Sequence, residues 1–279
     1  MKYLIQFISL VILFSGCVKD AKVKIPKQNP FIVTHCYISP TDSIIVAKVY
    51  LSQPLYQTAN ANNDQPVTDA KVEIQSNTQT KQLLYNSTLR QYQLKASEFN
   101  ILPNSTYTLY ISLPNGNNTS ATTSIPAGYL APTKLYLDSI IQQGGWYQHR
   151  ANLEFLDPPN EKNYYAITWG YKELKNTDTI LSEVNNSFKL LVNDSRFNGA
   201  LNKETFNIYP ASFDTTFIAY RIYFLNTSYD YYEYFNSVNR NANSSGNPFA
   251  EPALVYTNFK NGLGVFAGYT RVDANLYLK

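Results

Sequence analysis

Tyr107-Thr108-Leu109-Tyr110-Ile111-Ser112-Leu113 is followed directly by Pro114-Asn115-Gly116-Asn117. Residues two apart share one face of a strand, so Tyr107, Leu109, Ile111 and Leu113 line a single apolar side. The Pro-Asn-Gly-Asn run supplies the turn-formers that close a hairpin. The same pattern extends upstream. Ala70, Val72 and Ile74 alternate with Asp69, Lys71, Glu73 and Gln75, giving one face to a core and one to water. Leu83–Tyr85 and Tyr92–Leu94 are shorter strand candidates, Ile44–Leu51 is a strong β run, and Phe31–Ile38 reads as the first strand. The stretch Thr58–Pro66, rich in Asn and Ala, reads as loop. About six short strands between residues 31 and 125 predict an immunoglobulin-like β-sandwich.

Downstream, Ser124–Pro132 carries Pro126, Gly128 and Pro132 and reads as an interdomain connection. Residues 133–279 then form a second β-rich domain, with strands expected at Lys134–Ile141, Ala151–Leu156, Tyr164–Tyr171, Ser187–Val192, Thr216–Leu225 and Leu263–Tyr269. Within Ser228–Val238, Tyr231, Phe235 and Val238 recur at helical spacing, and Asn226, Thr227 or Ser228 is placed to cap the start. Asn239–Pro248 reads as loop, and Lys172–Asp178 as a polar loop. The fold class expected is all-β with one short helix.

Composition agrees. There are 24 Tyr and 15 Phe, and charged residues make up 15% of the chain, against roughly 25% in a typical soluble domain. Aromatic residues suit pleated sheets. The formal charge of +3 comes from 23 Lys plus Arg and 20 Asp plus Glu with no long charge run, which gives no reason to invoke nucleic acid.

Met1-Lys2 and the apolar run from Tyr3 to Phe14 lead to Ser15-Gly16-Cys17. The run is too short to span a bilayer as a mature helix. Small residues before a cysteine at its end resemble a bacterial lipobox, so residues 1–17 read as a lipoprotein signal peptide with Cys17 lipidated. Several acyl chains hold a soluble domain on a membrane stably. Residues 18–30, with Lys19, Lys22, Lys24 and Lys27, read as a tether. Cys36, the other cysteine, lies in an apolar strand and reads as a buried structural thiol.

Motifs for chemistry are sparse. His35 and Cys36 are strand neighbours and point to opposite faces, so they do not share a metal from one strand. His149 follows Gly144-Gly145-Trp146-Tyr147-Gln148 and is expected in a turn. No metal-ligand spacing of the H-E-x-x-H or C-x-x-C kind occurs, nor a G-x-S-x-G elbow. Asn261-Gly262-Leu263-Gly264-Val265-Phe266-Ala267-Gly268 reads as a turn entering a final strand, with Gly268 allowing close backbone approach. Asp157 is expected to cap a turn before Pro158-Pro159. No cofactor, metal or catalytic residue is expected; an extracellular hydrolase is the distant alternative, because glycosidase carboxylates need not be close in sequence. Aromatics carry the binding expectation. Trp146, Tyr147, Trp169, Tyr171 and Tyr232 are candidates for stacking a glycan or peptide or for contacting a protein, with core packing as the alternative for each.

The chain resembles the Bacteroidota outer-membrane lipoprotein family known as domain of unknown function 4249. The resemblance rests on Cys17, Val67-Thr68-Asp69-Ala70-Lys71-Val72-Glu73-Ile74, Tyr107–Ile111 with Gly116, Asp138-Ser139-Ile140, Phe155-Leu156-Asp157-Pro158 before Asn163-Tyr164-Tyr165, and Asn258–Tyr269. It implies a lipid-anchored protein of the outer membrane, on the cell surface or the periplasmic face, often associated with TonB-dependent transporters in nutrient uptake. It implies no catalytic residues. A structural or adhesion lipoprotein is the rival expectation. Ser43, Ser139, Thr179 and Thr215 each follow an Asp and precede an apolar residue or Thr, which resembles the O-glycosylation signal of exported Bacteroidota proteins.

Overall fold

The alternating stretch forms β6 (Thr106–Ser112), with Tyr107, Leu109 and Ile111 buried. Its turn closes through Leu113 N–H to Asn117 O at 2.8 Å and Gly116 N–H to Leu113 O at 3.0 Å, with Gly116 at φ +89°. The computed structural model describes residues 29–53, 65–143, 146–175, 178–182, 190–208, 217–244, 251 and 253–277, with the backbone alone for 139–143, 146–147, 171–175, 178–182 and 217–218. The expected signal peptide, Cys17 and most of the expected tether lie outside the described residues.

Beyond the turn runs β7 (Asn118–Ser124), a strand absent from the sequence expectation. Its inward residues are Thr119, Ala121 and Thr123, so no apolar alternation announces it. Burial of the two hydroxyls is compensated by distant partners: Thr119 donates to Lys260 O at 2.7 Å and Thr123 to Asp230 Oδ2 at 2.9 Å.

Five earlier strands complete the first β-rich region: β1 (Ile32–Ile38), β2 (Ile44–Leu51), β3 (Lys71–Gln75), β4 (Thr80–Asn86) and β5 (Gln91–Lys95). The first half of β4 pairs with β3 and its last residues pair with β5. That strand therefore carries the hydrogen-bond ladder from one layer to the other. Cys36, Ile38, Ile45, Val49, Val72, Ile74 and Leu83 meet Tyr92, Leu109 and Ile111 between the layers. Cys36 is buried there, and burial raises its thiol pKa.

The second region contains β8 (Lys134–Gln143), β9 (Trp146–Leu156), β10 (Tyr164–Lys175), β11 (Asp178–Ser182), β12 (Leu190–Asn193), β13 (Leu201–Ile208) and β14 (Phe217–Thr227). Helix α1 (Tyr229–Ser244) and β15 (Gly262–Tyr277) end the chain. A three-stranded sheet ordered β13-β9-β8 lies over β10 and β14. Phe155, Tyr165, Ile167, Tyr220, Ile222 and Phe224 fill the space between.

Several expectations change here. His149 sits within β9, not a turn: it is buried, and its Nδ1 shares a 2.8 Å hydrogen bond with the Tyr220 hydroxyl. Burial lowers its pKa, which keeps the ring neutral. Lys172–Lys175 continue β10 and Asp178 opens β11, so the expected loop is largely a hairpin. β13 also escaped the sequence reading, because half-buried Asn202 and Glu204 share the inward face with Phe206 and Ile208.

The final strand serves both regions. Gly262 to Gly268 pair parallel with Ile32 to Ile38, and Tyr269 to Tyr277 pair antiparallel with Thr227 to Ala219. A single sheet thus runs β11-β10-β14-β15-β1-β2-β5-β4-β3-β6-β7, with β12 added to β10. Gly264 makes the parallel pairing possible: at φ +97°, a Cβ there would lie 2.1 Å from Thr34 O. At Gly268 a Cβ would lie 2.6 Å from Ser124 O, in line with the close approach expected. Helix α1 covers the opposite face of this junction, where Tyr231 and Phe235 pack on Tyr37, Val265, Ala267 and Tyr269. His35 also faces the helix, with Nε2 2.8 Å from the Tyr234 hydroxyl, while Cys36 faces the first core. Burial lowers the His35 pKa, and Lys48 adds to the effect. No helix of the described residues is long and apolar enough to cross a membrane.

Candidate functional site

Helix α1 starts at a well-held point. Ser228 Oγ accepts from the Tyr231 N–H at 3.3 Å, an N-cap bond for which serine is suited. The same oxygen lies 3.3 Å from the Gly268 N–H, and the Ser228 N–H donates to Gly268 O at 2.8 Å. The helix start is therefore tied to the middle of β15. Asp230 occupies the first turn, where the helix dipole favours negative charge. Its Oδ1 accepts from the Tyr256 hydroxyl at 2.8 Å and its Oδ2 from Thr123 at 2.9 Å. Burial raises the Asp230 pKa, and these hydrogen bonds pull it back. The Tyr256 phenol is pushed up, first by burial and then by its bond to Asp230.

Tyrosines gather around this start. The Tyr229 ring lies 5.4 Å from Tyr164 and 5.9 Å from Tyr256, both edge to face. Tyr164 lies 5.0 Å from Tyr232, whose hydroxyl accepts from Asn193 Nδ2 at 2.9 Å. Such pairings are favourable for aromatic quadrupoles. Burial raises the Tyr164 pKa, with Tyr229 next among the causes.

The loop 158–163 supplies the facing wall, and its ends are anchored from a distance. Asp157 is buried; Oδ2 accepts from the Gly199 N–H at 2.8 Å and Oδ1 from the Tyr165 hydroxyl. It does not cap the turn before Pro158-Pro159 as expected, because its carboxylate is engaged across the second core. Burial, and then Asp157, push the Tyr165 phenol up. Asp194 Oδ2 accepts from the Asn163 N–H at 2.8 Å.

Between these walls, where the connection 124–130 crosses from the first region to the second, lies an open cleft of about 530 Å³. Tyr129, Leu130, Glu161, Tyr164, Asn226 and Tyr229 are among its lining residues. Tyr129 and Tyr229 are 49% and 50% exposed, large values for rings this size. The cleft offers aromatic faces, amides and hydroxyls, with Glu161 and Lys162 of opposite charge side by side on its rim. Among the described residues no group of three His, Cys, Asp or Glu is placed to hold a metal.

The sequence-derived candidates fall in different places. Trp169 is 8% exposed and stacks on Phe206 at 5.3 Å inside the second core. Tyr232 is half-buried beside the cleft, behind Tyr164. Trp146 and Tyr147 pair with Gln143 and Gln142 at one end of the three-stranded sheet, and Tyr171 pairs with Ser182 and Tyr220; their side chains lie outside the described residues. Ser43 is exposed at the start of β2, next to Asp42, whose carboxylate accepts from the Tyr269 hydroxyl. The side chains of Ser139 and Thr179, and all of Thr215, lie outside the described residues. Tyr129 and Asn226 were missed as site residues. A lone tyrosine directly after Pro126-Ala127-Gly128, in a stretch with no strand alternation, was the available signal for the first.

The family described as Domain of unknown function (DUF4249) matches residues 18–274. The chain belongs to this family. The DUF4249 family is known from outer-membrane lipoproteins of Bacteroidota, which associates this protein with the outer membrane. A search of curated proteins finds no match to the chain.

Proposed function

We propose that this DUF4249 protein is a lipid-anchored binding and accessory protein of the outer membrane, which captures a nutrient at the tyrosine-lined cleft and assists a TonB-dependent transporter in admitting it. One observation supports the reading: the cleft and Asn29-Pro30, the last residues of the expected tether, lie at opposite ends of the first region. Asn29 and Pro30, where the tether arrives, share a surface hollow with Gly116, Asn117 and Asn118 at the start of β7. Ser124, the last residue of β7, lines the cleft. Seven strand residues span about 20 Å, and the first region thereby sets the cleft apart from Asn29, the described residue nearest Cys17 in the chain. The two-layered first region, read as an immunoglobulin-like sandwich, acts as the spacer. An open site displayed away from the anchor suits delivery to a neighbouring protein better than a purely structural role.

The test is co-isolation. The full-length lipoprotein, tagged at its C-terminus and crosslinked in intact cells, is expected to bring down a TonB-dependent transporter, and its deletion to slow growth on the nutrient that transporter imports. A crosslinked sample free of any transporter, from a strain whose deletion leaves growth unchanged, sinks the accessory role.

A further inference from the structure

Asn226, next to last in β14, lines the cleft and is only 7% exposed. An amide carries two donors and two acceptor sites, and a buried polar group is normally satisfied. Three neighbouring polar side chains of the lining are satisfied within the protein. Asn163 Nδ2 donates to Pro158 O at 3.3 Å, Thr227 Oγ1 to Tyr164 O at 3.1 Å, and Ser228 Oγ caps the helix. The Asn226 amide has no hydrogen-bond partner among the described residues. It is also absent from the few buried polar atoms that are both unpaired and sealed from solvent, so its remaining accessibility opens on the cleft.

We infer that the cleft is a carbohydrate site for a neutral sugar of one or two rings, oriented by Asn226 and stacked on Tyr229 or Tyr129. This rests on the binding role proposed above and names its ligand class. A side-chain amide presents a donor and an acceptor side by side, which matches the paired hydroxyls of a pyranose, each of which both donates and accepts. The apolar C–H face of the ring meets the exposed tyrosine faces. About 530 Å³ lies within the usual range for small-molecule sites and holds a disaccharide. Charge argues for a neutral ligand: Glu161 and Lys162 cancel on the rim, and the carboxylates of Asp157 and Asp194 are consumed by internal bonds. An extended peptide is disfavoured because, among the described residues, the strand lining the cleft is paired on both sides. Tyr164 is paired on one side with Thr227 and on the other with Asn193, so strand addition has nothing to join.

The experiment uses the mature lipidated chain in detergent micelles, titrated to 10 mM with maltose, cellobiose, xylobiose, mannobiose, chitobiose, digalacturonate or diglycine, and followed by ligand-observed saturation-transfer NMR. At least one neutral disaccharide is expected to bind, with digalacturonate and diglycine at least tenfold weaker. Asn226→Ala is expected to weaken that sugar at least tenfold while leaving the melting temperature unchanged or higher, since the amide has no partner among the described residues. Tyr229→Ala and Tyr129→Ala together are expected to weaken it further, and Asn226→Asp to weaken it without restoring affinity. Silence from every neutral sugar, preference for digalacturonate or diglycine, binding unmoved by Asn226→Ala, or a fall of several degrees in its melting temperature each overturns the assignment. Silence from every neutral sugar, with the full-length protein still co-isolating a transporter, overturns the ligand class alone, whereas sugar binding without any transporter overturns the accessory role alone.

Discussion

Replacing Gly264 with alanine tests how the last strand joins the first region. Gly264 pairs with Thr34 in the parallel β1–β15 ladder and sits at φ +97°. An alanine Cβ would lie 2.1 Å from Thr34 O and 2.9 Å from its carbonyl carbon, both backbone atoms that no rotamer change can move aside. Relief requires the strands to part by about 1 Å, enough to take N–H···O bonds of about 2.9 Å out of range. Losing about two such bonds costs about 2 kcal/mol, and a non-glycine residue at positive φ adds about 1–2 kcal/mol. The sum of about 3–4 kcal/mol corresponds to roughly 6–16 °C in melting temperature for a chain of this size. Gly116→Ala is the matched control, because Gly116 has φ +89° with nothing within 4 Å of the added Cβ. It carries the backbone strain without the collision, so about 1–2 kcal/mol is expected. Thermal unfolding of both full-length variants, followed by tyrosine circular dichroism in the near ultraviolet, makes the comparison. If the two variants melt within about 2 °C of each other, the close β1–β15 approach is not what holds the regions together.

Other consequences follow from the same contacts. Ser228→Ala removes the α1 cap and strands the Gly268 N–H, an expected loss of about 2 kcal/mol that Ser228→Thr largely restores; urea unfolding of the pair reads it, and equal midpoints for Ala and parent contradict it. His35 and His149 have folded pKa values below the ordinary 6.5, so the unfolded chain takes up protons first. Their contribution to stability is complete above about pH 6.5 and declines as the pH falls below it toward their depressed folded values. Asp42 and Asp230, raised by burial, act in the opposite sense, stabilising as the pH falls through their raised values. Urea midpoints are therefore expected to drop between pH 7.5 and 5.5, and less so in His149→Gln. Cys17→Ser is expected to abolish lipid labelling and release the protein from membranes; a variant still bound in high salt contradicts lipid anchoring. Native material is expected to carry hexose-containing mass, with Ser43 the exposed candidate; an intact mass equal to the bare lipidated chain removes O-glycosylation.

Much of the local structure is written in short-range pattern. The alternation of Val72 and Ile74, or of Tyr107, Leu109 and Ile111, requires a strand with one buried face, and nothing distant is needed to read it. Helix α1 is legible in the same way, from Ser228 as a cap and from Tyr231 and Phe235 one turn apart. Where inward residues are polar, the pattern fails. Thr119 and Thr123 of β7 are buried because Lys260 and Asp230, more than 100 residues away, accept their hydrogen bonds. Asn202 and Glu204 hide the inward face of β13. The double role of β15 is invisible for a related reason: sequence shows a glycine-bearing final strand, but only packing shows that Thr34 needs the space at Gly264. The cleft lies furthest from the sequence signal. Tyr129, Tyr164 and Asn226 come from a connection, a strand start and a strand end, and tertiary packing alone brings them together. Periodicity reports which residues leave water, because that preference acts residue by residue. Which distant groups then share a site depends on how the sheets close on one another, and that is decided by contacts between segments far apart in the chain.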